Sequence, residues 1–205
     1  MTMNKFASAL LLTALSLAAT SATAQLINFD DITDGGTTGT AIPTSYAGFN
    51  WDNWSVLNAP AYGASGFLNG LVSTPNVAFN QWGLDATISS PKAFNLVDGY
   101  FTSASDTSLQ IQVTGTLVGG GSVLQSYTIG TAGPTDIQFN LHNLTSVTFS
   151  ATDTSNAGGA TVFALDNLRI NPVPEPEEWA MLMAGIPLVG WQIRRKQKNR
   201  AAPVA

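Results

Sequence analysis

Leu109-Gln110-Ile111-Gln112-Val113-Thr114-Gly115-Thr116 alternates strictly, with Leu109, Ile111 and Val113 on one side and Gln110, Gln112, Thr114 and Thr116 on the other. Successive side chains of a strand point to opposite faces, so this pattern predicts a strand with one dry and one wet face. Gly119-Gly120-Gly121-Ser122 then turns the chain into 123–129, where Val123, Tyr127 and Ile129 share parity, and the two segments read as a hairpin. Working outward, Ile137, Phe139 and Leu141 repeat the alternation, as do Val147, Phe149 and Ala151. Further strands are expected over 26–31, 48–54, 77–81, 86–89, 94–101 and 161–170, each bounded by Gly, Asn, Asp, Ser or Pro. Between residues 25 and 171 no window sustains apolar residues at helical spacing. About ten short strands in roughly 147 residues predict an all-β body over 25–171, a two-sheet β-sandwich of jelly-roll type able to bury one core.

Charge is distributed unevenly over the 205 residues. Residues 25–168 hold Lys92 as their one basic residue against all ten aspartates, a net −9, whereas Arg194, Arg195, Lys196, Lys198 and Arg200 crowd the C-terminus. Phosphate contacts need clustered Lys and Arg, so the body does not read as a nucleic-acid binder. The absence of cysteine excludes a disulfide scaffold, a thiol nucleophile and a cysteine zinc site, and a single histidine excludes a multi-histidine metal centre.

Both ends read as addresses. Residues 1–24 carry Lys5, an apolar stretch from Phe6 to Ala19 and a closing Ala22-Thr23-Ala24, the layout of a signal peptide cut by signal peptidase before Gln25. At the other end, the proline-rich linker 172–178 precedes the apolar run 179–193, and the basic tail 194–205 follows. As a helix that run would be about 22 Å long against a hydrocarbon core of about 30 Å, a short transmembrane segment. Trp179 and Trp191 sit where interfacial aromatics belong, and the basic tail would stay cytoplasmic.

Val173-Pro174-Glu175-Pro176, then Trp179, Ala180, Gly185, Gly190, Trp191 and Arg194-Arg195-Lys196, resemble the PEP-CTERM sorting signal of Gram-negative bacteria that make extracellular polysaccharide. The resemblance implies that exosortase, a membrane-embedded protease, recognises Pro174, Glu175 and Pro176 and removes the tail. It covers about the last thirty residues, and this chain departs from it with Glu177-Glu178 after the motif and Pro187 inside the span. On this basis the chain is expected to be an exported precursor, anchored in the inner membrane and then passed to the cell surface or extracellular matrix.

Within the body, Asp30 and Asp31 near the first strand and Asp166 and Asn167 in the last form one candidate site. First and last strands of sandwiches commonly pair, and converging carboxylate and amide oxygens suit Ca²⁺. The same placement resembles calcium-stabilised jelly-roll sugar-binding modules. A second candidate is the aromatic cluster Tyr46, Phe49, Trp51, Trp54, Tyr62 and Phe67, interleaved with Asn50, Asp52, Asn53 and Asn58. Phe49 and Trp51 share a parity that points inward, which leaves Trp54 and Tyr62 as the expected platform for sugar rings. Signals for catalysis are absent from the sequence. Gly63-Ala64-Ser65-Gly66-Phe67 breaks the nucleophile-elbow pattern, His142 has no evident partner, and there is no Glu between 25 and 173. The expected function is therefore a non-catalytic surface or matrix protein that binds or organises extracellular polysaccharide in a biofilm or floc. A purely structural matrix protein and a secreted hydrolase remain as alternatives.

Overall fold

The computed structural model of the chain describes residues 24–33, 36–155 and 158–173. The expected signal peptide up to residue 23, the Pro-Glu-Pro motif at 174–176, the apolar run 179–193 and the basic tail lie outside the described residues. Among those described, no helix is long and apolar enough to cross a membrane. Residues Thr23–Val173 make one compact unit that contains the whole core.

Ten strands carry the unit: β1 (Gln25–Ile27), β2 (Thr40–Ala41), β3 (Asn50–Asp52), β4 (Trp54–Asn58), β5 (Asn76–Asn80), β6 (Ala86–Ser103), β7 (Leu109–Leu117), β8 (Ser122–Ile129), β9 (Thr135–Asp153) and β10 (Phe163–Pro172). Two single-turn helices, α1 (Ala59–Tyr62) and α2 (Gly66–Asn69), interrupt them. All pairings are antiparallel, in the order β2-β4-β5-β10-β6-β9-β7-β8, with β1 on β10 and β3 on β6. The β7–β8 hairpin pairs Leu109 with Ile129 through Thr116 with Ser122, as its alternation predicts. Gly119, Gly120 and Gly121 turn it with φ of 87°, 101° and 85°, a region that costs glycine nothing.

The two expected sheets are one continuous sheet folded on itself. In the strand order β4 and β9 are four steps apart, about 19 Å on a flat sheet. Yet the rings of Trp54 on β4 and Phe149 on β9 lie 5.6 Å apart, centroid to centroid, at 78°. Contact across that interval requires the sheet to bend until its two halves face each other. Strands β6 and β9, 18 and 19 residues long, run the length of this bend, and their mutual register shifts between Ser89 and Phe94, Phe94 and Leu96, and Leu96 and Asp98. Such irregularities kink and twist a strand, which is how a sheet curls without breaking its ladder.

Trp54, Phe101, Phe139, Phe149 and Phe163 interlock edge to face and stacked at the centre of the core. A smaller cluster, formed by Leu57, Ala59, Phe67, Val77, Ala104 and Ala164, lies beneath the two short helices.

The expectation for Trp54 is overturned. Its side chain is 2% exposed and sits in the main core, not on the surface. A single strand over 48–54 would place it opposite to Phe49 and Trp51. Asn53, however, adopts a left-handed conformation (φ 58°), which separates β3 from β4 and resets the alternation, so Trp51 and Trp54 both point inward. The body also ends later than expected: Pro172 belongs to β10, and Val173 N–H donates to Ala93 O at 2.9 Å.

Candidate functional site

Beyond β4, Pro60 in the first turn removes a strand donor, and Asn58 starts α1 by accepting the Ala61 N–H on its side-chain oxygen at 2.9 Å. This short helix raises Tyr62 to the surface, where it is 49% exposed with its ring edge-on to buried Phe67 (5.1 Å, 76°). Phe67 in turn meets Phe79 of β5 at 5.6 Å. Together with Leu57 and Val162 these rings floor an apolar depression of about 280 Å³ whose rim carries the hydroxyl-bearing residues Thr37, Thr38 and Ser105.

Trp82 forms the other side of the depression. It is 80% exposed and stands in a left-handed conformation (φ 59°) within the 3-10 turn Gln81–Gly83. The turn is held from both sides. Asn53 donates its side-chain amide to Gln81 O (3.2 Å) and Asp85 O (2.9 Å), and Gln81 N–H donates to Asn53 O. Asn80 donates to Leu84 O and Thr161 O (3.0 Å each) and accepts the Phe163 N–H, while Thr161 Oγ1 donates to Gly83 O at 2.8 Å. A Cβ on Gly83 would lie 2.5 Å from that hydroxyl, so glycine is what lets the turn seat here. An indole in water on a strained but pinned backbone is the arrangement of a preformed binding surface. Sequence reasoning missed Trp82; the available signal was a tryptophan flanked by Asn80-Gln81 and Gly83, beyond the last position of an alternating strand.

β1 pairs with β10, Ile27 opposite Leu168, and the carboxylates of Asp30, Asp31 and Asp166 are each engaged by the protein's own donors. Asp166, 1% exposed, accepts Val72 N–H and Ser73 N–H on Oδ2 (2.7 Å each) and Ser73 Oγ (3.1 Å) and Asn167 N–H (2.7 Å) on Oδ1. Burial pushes its carboxyl up, against the pull of these four donors toward the ionised form. Asp30 Oδ1 accepts Asn76 N–H at 3.0 Å, and Asn76 donates its amide to Phe29 O and Ile32 O. Tyr46 donates its hydroxyl to Asp31, and burial, then that bond, push the phenol well above its ordinary range. Asn167, left-handed at φ 49°, keeps a buried Oδ1 without a partner. These residues tie the 72–76 segment to the N- and C-terminal strands. With both Asp166 oxygens doubly engaged, and no group of three or more acidic or histidine side chains suited to a metal among the described residues, they fit poorly as a calcium cage. His142 is exposed on β9 between left-handed Asn140 and Asn143.

No protein-family model matches the chain, and no curated protein does. Among solved structures it is similar to the N-terminal CBM22-1–CBM22-2 tandem domain of Xyn10C from Paenibacillus barcinonensis, at 14% identity and a TM-score of 0.42 over 77% of this chain and 48% of that one. The chain thus spans about half of that tandem structure. It is also similar to the CBM22-1 xylan-binding domain of the same Xyn10C (13% identity, TM-score 0.41, 77% of this chain and 99% of that one). A third likeness is to TmCBM61 in complex with β-1,4-galactotriose (9%, TM-score 0.38, 72% and 99%).

Proposed function

We propose that the body is a non-catalytic module that binds neutral polysaccharide outside the cell through Tyr62 and Trp82. The observation that carries this reading is Trp82, exposed on a turn locked by residues from three separate parts of the chain. Pyranose rings present flat C–H faces that pack on aromatic rings, and their hydroxyls exchange hydrogen bonds with polar groups such as those at the rim. Trp82 and Tyr62 face one depression, so a chain of sugars contacts both.

Charge selects the kind of sugar. The depression is lined by apolar and hydroxyl side chains without a lysine or arginine, on a body of net −8 (ten aspartates against Lys92 and Arg169), so an acidic glycan meets repulsion and no cation. Affinity electrophoresis in gels containing neutral β-glucan or xylan should retard the body, residues 23–173, while alginate or polygalacturonate gels should leave its mobility unchanged. Equal mobility in every gel would favour the purely structural matrix protein.

Export completes the proposal. The signal peptide and the Pro174-Glu175-Pro176 motif support a precursor cleaved first by signal peptidase and then by an exosortase, with the inner membrane as a way-station to the surface or matrix. Replacing Pro174 and Pro176 by Ala should leave the full-length chain in the membrane fraction, and unchanged processing would count against recognition of this motif.

A further inference from the structure

β8 ends the strand order, and among the described residues it pairs only with β7. Which of its backbone groups are left over follows from the turn. Leu117 N–H donates to Gly121 O at 3.1 Å, so those two residues form a bonded pair. Bonded and non-bonded pairs alternate along an antiparallel ladder. From the register, Val123, Gln125, Tyr127 and Ile129 therefore turn their N–H and C=O groups to β7, while Ser122, Leu124, Ser126 and Thr128 turn theirs away from it. Gly130, the next residue of the second set, agrees with this parity: its carbonyl accepts Ser103 N–H of β6 at 2.9 Å. Ser122, Leu124, Ser126 and Thr128 are all exposed.

An open edge of this length usually carries a device against pairing: a charge, a proline, a bulge or mere shortness. β2, at the other end of the strand order, is two residues long. β8 has eight residues, none charged and none proline, and its register with β7 is unbroken. On a body of net −8, the whole hairpin 109–129 is free of charged side chains. Two such bodies can therefore meet here without setting carboxylate against carboxylate. The hairpin also exposes Val118, Val123 and Leu124, the last 59% in water.

We infer that β8 pairs antiparallel with β8 of a second copy of this chain, about a two-fold axis at Gln125. A two-fold contact is self-complementary, and residues opposite each other across antiparallel strands share a face. Centring on Gln125 sets Ser122 against the second copy's Thr128 and Leu124 against its Ser126, and the reverse. Every open residue of both strands then gains its backbone bonds, whereas centring on Leu124 or Ser126 leaves some unmatched. Val123 meets the second copy's Tyr127, an aliphatic-aromatic pair, and the two Leu124 side chains approach diagonally across the axis. The inference stands apart from sugar binding, since no residue of β8 lines the aromatic depression.

Sedimentation equilibrium of the body, residues 23–173, should return a mass that rises with concentration to twice that of one chain. Leu124→Lys puts like charges across the axis and should raise the dissociation constant at least about tenfold. Ser126→Pro should do the same. Its N–H points away from β7, so proline there leaves the hairpin's own bonds in place, which circular dichroism checks. Val118→Lys, in the turn beyond the paired stretch, should associate like the parent. The register is read separately, by cross-linking in a chain that has no cysteine of its own. Gln125→Cys should form a disulfide-linked dimer in air, because residues opposite each other in a non-bonded pair hold their Cα atoms about 4.5 Å apart. Val123→Cys, far from its own counterpart in this register, should not. Three results would overturn the pairing: a body that stays monomeric at every concentration; a dimer that survives both Leu124→Lys and Ser126→Pro; or Val123→Cys linking as readily as Gln125→Cys.

Discussion

Trp54→Ala is expected to melt about 10 °C below the parent body, the largest effect of any single substitution considered. Truncating a buried tryptophan costs about 3–5 kcal/mol, because the surroundings relax only in part around the void. For a body of this size each kcal/mol moves the midpoint by about 2–4 °C. The loss is concentrated here because Trp54 meets Trp51, Phe149 and Phe163 at once and so joins the two halves of the bent sheet. Trp54→Phe keeps most of that packing and removes an indole N–H that is buried without an acceptor, so it should fall by only a few degrees. Neither change should alter sugar affinity in whatever fraction remains folded. A surface role for Trp54 demands the reverse, a lost affinity with an unchanged melt, and scanning calorimetry with affinity electrophoresis separates the two.

Trp82→Ala should behave in the opposite way. With 80% of the residue in water, its removal should shift stability by no more than about 0.5 kcal/mol. Affinity for the neutral polysaccharide should fall at least about tenfold, since an aromatic anchor in a binding surface commonly contributes 1.4 kcal/mol or more. Tyr62→Ala should weaken binding less, because Tyr62 is already half covered by its contact with Phe67. Unaltered retention of Trp82→Ala on the gel, with a folded protein, would remove the depression from consideration as the binding surface.

Local alternation was enough to place β7 and the core-facing residues of β9, because each has one dry and one wet face, and the glycine turn then lays β8, mostly exposed, against β7. Lengths were harder to read. Ser89-Ser90-Pro91-Lys92 looks like a loop, yet it is a bulge through which β6 continues, and left-handed Asn140 and Asn143 play the same part in β9. One such residue, Asn53, also inverted the expected direction of Trp54. The candidate site was legible only in part: Tyr62 follows a recognisable helix cap, whereas the exposure of Trp82 is imposed by Asn53 and Thr161, neighbours that only the folded sheet supplies.

The position of β10 has a geometric consequence. The depression is lined by Ala160 and Val162, just ahead of the strand's first residue, while Gln25 pairs with Ile170 near its last. Ten residues of strand separate those ends by roughly 30 Å. Val173 therefore lies at the end of the body remote from its aromatic face.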